Sequence, residues 1–372
     1  MNTTITLFDL IIIVGIVQGL VTSTMLLLRN NASDRFLALS IIAFCLLSSK
    51  ILLHTLGFWN THLLRYFPLG VDLAIQPLIY CYVIQLIEPK NRPKLWYFLH
   101  FVPFIISEVY SLFVYFSVLQ TTNLEAKDLI AESFHFDQVK HLEDYFTLLS
   151  TFTYLTVGFF KLKSYKAWLE TNISDSAYPT FNWLRALVLQ LIIIGCVLLV
   201  NLLLDRIIFP GSSNFLRWQV FYTIVAAHIY YLGFRGINLP NQFQHEHTPS
   251  QPKIKKLTQN QVDEIIGKIE IALKKDKVYL NPKLSASELA GKIATSQGSL
   301  SYALNNHYQK NFRELVNQHR VEEVKSKLTD PSLSHLSILG IAFESGFSSE
   351  ASFYRIFKKT TGKSPAEYQT TP

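Results

Sequence analysis

Gly346-Phe-Ser-Ser-Glu-Ala-Ser-Phe353-Tyr-Arg-Ile-Phe357-Lys-Lys-Thr-Thr-Gly362-Lys-Ser-Pro365-Ala-Glu-Tyr368 decides how the last part of this chain folds. A glycine turn precedes a run in which Phe353 and Phe357 recur at i and i+4, one face of a helix. Just upstream, Leu336-Ser-Ile-Leu-Gly-Ile-Ala342 reads as a short helix that stops at Gly346, a natural left-handed cap. The outline occurs once before. Leu284-Ser-Ala-Ser-Glu-Leu-Ala290 is followed by a break at Ala294-Thr295-Ser296, then by Leu300, Leu304 and Phe312. Leu300 and Phe353, Leu304 and Phe357, and Phe312 and Pro365 are each 53 positions apart, the mark of a repeat. Each copy is a helix, a tight turn and a second helix with an apolar inner face.

Local signals complete the domain. Thr258 with Gln261 is a capping box opening a helix to about Lys275, striped by Val262, Ile265, Ile266, Ile269 and Leu273. Ser285 with Glu288 opens the first helix of the first copy. A long connecting helix begins near Asn311 and ends before Pro331, since proline disfavours helix in the residue ahead of it. Ser364 caps a last short helix with Pro365 at its first position.

Two such units joined by a long helix resemble the AraC/XylS family of transcription regulators over roughly residues 258–370. The sequence departs from the family in the first copy, where Gln309 replaces a usual glycine, Leu304 a favoured Phe and Tyr302 a common Arg. The resemblance implies twin helix-turn-helix units, residues 285–307 and 337–361, reading double-stranded DNA in a domain spanning 258–372. A helix-turn-helix lays its second helix in the major groove, so the outer face of that helix must be polar. With Phe353 and Phe357 inward, Glu350, Ala351, Tyr354 and Arg355 face outward, and Lys358 and Lys359 suit phosphates. Arg355 matches guanine O6 and N7, and Glu350 matches cytosine N4. With Leu300 and Leu304 inward, Gln297, Gly298, Ser301 and Tyr302 face outward, without charge. The second unit is therefore expected to supply readout and anchoring, and the first mainly fit.

The front of the chain is of a different kind. Of 372 residues, 49% are hydrophobic and only 16% charged, below an ordinary soluble protein. From Lys253 onward there are 18 Lys+Arg against 12 Asp+Glu; the preceding residues hold 16 against 15. A nearly neutral apolar front followed by a basic tail is the pattern of a membrane domain carrying a nucleic-acid-binding domain. Seven stretches are apolar enough to be spans: about 7–28, 36–56, 66–87, 95–119, 146–160, 184–204 and 215–235. The fifth is short unless its polar flank at 140–145 joins the helix. The first has no preceding Lys or Arg and no small-residue cleavage site, so a retained helix is expected rather than a signal peptide.

Alternate loops carry Arg29 and Arg35; Lys90, Arg92 and Lys94; and Lys161, Lys163, Lys166 and Arg185, nine basic residues against five (Arg65, Lys127, Lys140, Arg206, Arg217) in the others. The positive-inside rule places the nine in the cytoplasm, hence the N-terminus outside and the tail inside, in a bacterial cytoplasmic membrane. The acidic connection 120–145 reads as a solvated loop, with a short amphipathic helix as its alternative. The whole chain is thus expected to be all-α: a seven-helix transmembrane sensor (1–235), a Pro- and Gln-bearing cytoplasmic linker (236–257) and the paired-helix domain.

Polar residues inside spans mark function. Asp72, Gln76, Glu108, Gln190 and His228, with Tyr80, Tyr110 and Tyr222, are expected to line a ligand-sensing cavity, with interhelical hydrogen bonds that only hold the bundle together as the alternative for each, while Lys50 and His54 sit near a helix end and snorkel. Cys45, Cys81 and Cys196 lie in apolar runs and read as buried small hydrophobes. His245-Glu246-His247 in the linker lacks the setting of a metal site, and no cofactor or metal is expected. No HExxH, GxSxG, GxGxxG, P-loop or kinase signature is present, so the chain does not read as an enzyme. A transporter or channel with a regulatory tail is the competing reading, disfavoured by the lack of an inverted repeat. Expected partners are duplex DNA, membrane lipid, RNA polymerase, a second copy, and an unidentified small-molecule or membrane signal.

Overall fold

The computed structural model of the chain describes residues 5–29, 31–88, 95–175, 178–209, 215–238 and 257–369. Lys90, Arg92, Lys94 and linker residues 239–256, with His245, Glu246 and His247, lie outside the described residues. Among those described there are helices and no strand, as the all-α reading expects. The chain divides into two compact units, Met1–Leu162 with Trp183–Gln244, and Lys163–Asn182 with His245–Pro372.

The first unit contains α1 (Leu7–Leu27), α2 (Ala32–Thr55), α3 (Asp72–Ile87), α4 (Val102–Leu119), α5 (Leu124–Ser133), most of α6 (Phe136–Asn172), α7 (Pro179–Leu203) from Trp183 onward, and α8 (Leu216–Asn238). A capping box starts α1: the Thr6 hydroxyl accepts from Asp9 N (3.2 Å) and Asp9 accepts from Thr6 N (3.0 Å). The Asp9 carboxylate also accepts from Thr55 (2.8 Å) and Gln219 (3.2 Å), tying α1 to α2 and α8 at one end. Further along, the backbones close up. A Cβ on Gly15 would stand 2.7 Å from Ala226 Cβ, and one on Gly19 2.5 Å from Ile229 Cγ2. Small residues one turn apart let helices approach where lipid supplies no hydrophobic drive.

Among the described residues five helices are long and apolar enough to cross a membrane: Leu7–Leu27, Ala32–Thr55, Tyr97–Leu119, Thr180–Ile208 and Leu216–Asn238. Large apolar side chains are exposed along them, among them Leu7, Val14 and Val17 of α1, Ile106 and Phe116 of α4, and Leu189 and Ile193 of α7. Water would not tolerate so much exposed apolar surface, whereas a bilayer would. The other two expected runs differ. Residues 66–87 become helical only at Asp72, giving a shorter apolar helix of 16 residues, with Gly70 N bonded to the Glu108 carboxylate at 3.0 Å. Residues 146–160 lie inside the 37-residue α6, so their polar flank does join the helix.

The connection 120–145 is a correction. It is helical through α5 and the start of α6, with a turn at His135 (φ 57°). Two contacts explain this. Lys127 is fully buried and donates to His62 O at 2.7 Å, and Arg65 pairs with Asp128. Cys45 and Cys81 are buried as expected, but Cys196 is exposed, on a face of α7 that also exposes Leu189, Ile193 and Val200.

In the second unit follow α9 (Gln259–Glu270, extended by a π-turn to Lys275), α10 (Ala286–Lys292), α11 (Gln297–Ala303, extended to Tyr308), α12 (Phe312–Leu328), α13 (Ile338–Glu344), α14 (Glu350–Thr361) and α15 (Pro365–Gln369). The Thr258–Gln261 capping box forms, and so does one at Asn311–Glu314. There are two cores on one shared helix. Phe312, Leu315 and Val316 of α12 complete a cluster with Ile269, Leu289, Leu300 and Leu304, and Val321, Val324 and Leu328 complete another with Ile341, Phe353 and Phe357. Gln309 sits at φ 52°, in the left-handed region where the resembled family has glycine.

Candidate nucleic-acid interface

The better-formed face belongs to the α13–α14 pair. Ser337 caps α13, its hydroxyl accepting from Gly340 N at 3.0 Å. Gly346 (φ 94°) makes the turn, and Ser349 precedes α14. Phe353 and Phe357 are fully buried, their rings 5.7 Å apart, and Phe347 packs 5.3 Å from Phe353. This inward anchoring fixes the rotation of α14. Glu350, Ala351, Tyr354, Arg355, Lys358 and Lys359 are consequently all exposed. Among the described residues neither Arg355 nor Lys359 has an ion-pair partner. The helix thus offers a guanidinium and two ammonium groups on one open face, the chemistry that meets guanine edges and phosphates.

The α10–α11 pair is less open. Leu300 and Leu304 are buried as expected, but of the four positions read as outward, Gly298 is buried and Gln297, Ser301 and Tyr302 are only partly exposed. Tyr302 is partly buried and packs against the core of the first helix pair, the alternative to a base contact at that position. A tyrosine ring on a seven-residue helix finds more apolar surface beside that core than in water.

Arg320 of α12, read only as part of a connecting helix, ties that helix to the segment ahead of α10 and to Ser174. It is 1% exposed, and its guanidinium donates to Tyr279 O (2.7 Å), Asn281 O (2.7 Å) and Ser174 Oγ (3.1 Å). Burial pulls its pKa down to about 10, opposed by the charge of Asp175, so it stays protonated at neutral pH. Glu323, one turn on, accepts from Tyr279 (2.8 Å) and Lys277 (3.0 Å). Burial raises its pKa, but these bonds outweigh burial and the net direction is down.

Ser174 belongs to the connection between α6 and α7, which groups with this unit. Its hydroxyl donates to Leu284 O at 2.6 Å, and Ile173 forms an antiparallel bridge with Ser285. Asn172 Oδ1 accepts from Gln297 Nε2 at 2.9 Å, and Asp175 accepts from Ser348. The Tyr178 hydroxyl accepts from Arg313, whose guanidinium lies 5.7 Å from the ring. The Tyr178 pKa is raised, first by burial and then by the charges of Glu170 and Asp175, against the lowering pull of Arg313 and Arg355. No local pattern announces these contacts, whose partners lie more than a hundred positions apart.

The first unit contains a cavity of about 160 Å³. Of the residues expected there, Asp72, Gln76, Tyr80 and Tyr222 line it. Glu108 is instead held by Gly70 N, Tyr110 donates to Phe134 O, and Gln190 bonds His228 Nδ1 at 2.7 Å; none of the four is on the cavity wall. Lys50, expected only near a helix end, is engaged in an ion pair. It lines the cavity and pairs with Asp72 at 2.8 Å, while His54 stacks on Trp59 at 4.6 Å. Sequence reading also missed Asp144, Thr147, Thr151 and Tyr154 on the wall. A lysine and an aspartate in separate apolar runs were the available signal. Gln76 donates to Thr151 at 2.9 Å, but its Oε1 and the Thr147 hydroxyl are buried without a hydrogen-bond partner among the described residues.

A family profile described as a helix-turn-helix domain matches residues 289–371. The C-terminal region therefore carries a helix-turn-helix domain of AraC type, the kind of domain that implies a DNA-binding transcription regulator. Two uncharacterized HTH-type transcriptional regulators of Staphylococcus aureus, from strains MSSA476 and N315, are each 32% identical over 113 residues. The alignment covers 30% of this chain and 14% of theirs, so the chain matches only a small part of the length of these relatives. No solved structure matches.

Proposed function

We propose that this protein is a membrane-anchored one-component transcription regulator that binds DNA sequence-specifically through two helix-turn-helix units, residues 285–307 and 337–361. The observation that carries the reading is the exposed stripe Glu350, Ala351, Tyr354, Arg355, Lys358 and Lys359 on a helix clamped by Phe353 and Phe357. Arg355 reads guanine, Lys358 and Lys359 hold phosphates, and Glu350 and Tyr354 refine the choice. Gln297, Ser301 and Tyr302 beside Gly298 contribute fit. Residues 1–235 form the membrane domain, seven crossings with the N-terminus outside, 236–257 the linker, and 258–372 the cytoplasmic reading domain. The partners are duplex DNA, membrane lipid, RNA polymerase and a second copy of the chain.

Arg355→Ala is expected to lower affinity and relax discrimination by roughly 1–3 kcal/mol at one base pair. Lys359→Ala is expected to weaken binding evenly across sequences and reduce the salt slope by about 1. Fluorescence anisotropy on a duplex enriched from a random pool checks both. An Arg355→Ala chain with unchanged affinity and selectivity would refute the assignment.

The membrane domain is the sensor in this reading, with Asp72 and Gln76 on the cavity and Glu108, Gln190 and His228 as supports between helices. A ligand shifts such a protein only by binding its two arrangements unequally. Asp72→Asn, which removes the partner of Lys50, is expected to abolish signal-dependent reporter transcription while the full chain still binds the selected duplex. An unaltered reporter response would remove Asp72 from sensing.

A further inference from the structure

Three places on the DNA-reading unit are already engaged by the connection after α6. Gln297, the first residue of α11 and the side chain best suited to adenine in the first pair, donates its amide to Asn172 at 2.9 Å. Ser348, in the turn just ahead of α14, donates to the Asp175 carboxylate. Tyr178 takes the Arg313 guanidinium, and its phenol feels the charge of Arg355. The connection is anchored as it does this, by the Ile173–Ser285 bridge and by Ser174 on Leu284 O and Arg320.

We infer that Asn172, Asp175 and Tyr178 compete with duplex DNA for the reading face, so that the chain as folded here holds its own DNA-binding surface in check. The inference rests on the DNA reading proposed above. Its chemistry is that of exchange. An Asx amide stands where a base edge would accept, and a carboxylate stands by the turn entering α14, where a strand would bring a phosphate. Asp175 also sets a negative charge in the path of a backbone that carries one per ~1.7 Å. Two of the three contacts are only partly buried and the third is exposed, so they can be displaced without dismantling a core. The anchors at Ile173 and Ser174 are separate from them and remain.

A route for control follows from chain continuity. Asn172 is the last residue of α6, the same helix that bears Thr147, Thr151 and Tyr154 on the cavity wall. A ligand that prefers one placement of α6 changes how readily Asn172 and Asp175 release the face.

The test uses the full chain in lipid nanodiscs and a labelled duplex enriched from a random pool. Asn172→Ala with Asp175→Ala is expected to tighten binding at least about tenfold. In a chain with Cys45, Cys81 and Cys196 replaced, Asp175→Cys and Ser348→Cys bridged by a short reducible thiol crosslinker are expected to block binding until reductant is added. Equal affinity in the wild-type, double-variant and crosslinked chains would overturn the inference while leaving the DNA reading intact, as would weaker binding by the double variant. Failure of every form, reduced or not, to bind duplex would overturn the DNA reading and this inference together.

Discussion

Arg320→Ala is expected to destabilise the C-terminal unit by roughly 3–5 kcal/mol. The side chain is 1% exposed and serves Tyr279 O, Asn281 O and Ser174 Oγ at once. Alanine would leave one buried and one partly buried carbonyl beside a cavity, each without its donor, and would untie α12 from the segment ahead of α10. Lysine would restore the charge but not the fork that spans three acceptors, so Arg320→Lys is expected to recover only part of the loss. Hydrogen exchange of the α12 amides and denaturant unfolding read the effect on the full chain. A loss below about 1 kcal/mol would show that the guanidinium is not the clamp described.

Gly346→Ala is expected to cost a comparable amount, for a different reason. At φ 94° the backbone is left-handed, and an added Cβ would stand 2.4 Å from Tyr279 O, 2.9 Å from Arg320 Nε and 3.0 Å from Leu280 Cα. The conformation alone costs roughly 1–2 kcal/mol, and forcing apart a packed joint adds about 1–3 kcal/mol. Gly362 separates these two contributions. It is also left-handed (φ 79°), but nothing lies within 4 Å of its missing Cβ, so Gly362→Ala should show the conformational cost alone. Equal losses at the two glycines would mean that the contact with Tyr279 and Arg320 yields freely.

What could be read from the chain followed how local its cause is. Phe353 and Phe357 at i and i+4, Gly346 as a turn and Ser364 ahead of Pro365 each act within one or two helical turns, and each is found in that role. The outward stripe from Glu350 to Lys359 follows from the inward one. For Tyr302 the sequence leaves packing and outward contact both open, because helical phase says which way a side chain starts, not where a long ring finds apolar surface. Arg320 escaped because its acceptors are carbonyls 39 and 41 positions away and a serine 146 away. The helix at Leu124–Ser133 was masked by acidic composition, since the burial of Lys127 depends on a carbonyl from a distant turn. In the first unit, hydropathy located the apolar runs but not the pairing of Lys50 with Asp72, since nothing local links two charges in separate runs.

The central claim is that α14 lies in a major groove with Arg355 on a guanine. Methylation interference on the selected duplex addresses it at single-atom level, because a methyl group on guanine N7 occupies the position the guanidinium must reach. Methylation of at least one guanine should block binding by the wild-type chain, and the same guanine should become indifferent to methylation in the Arg355→Ala chain. Binding that tolerates N7 methylation at every guanine, or interference identical in the two proteins, would contradict the claim.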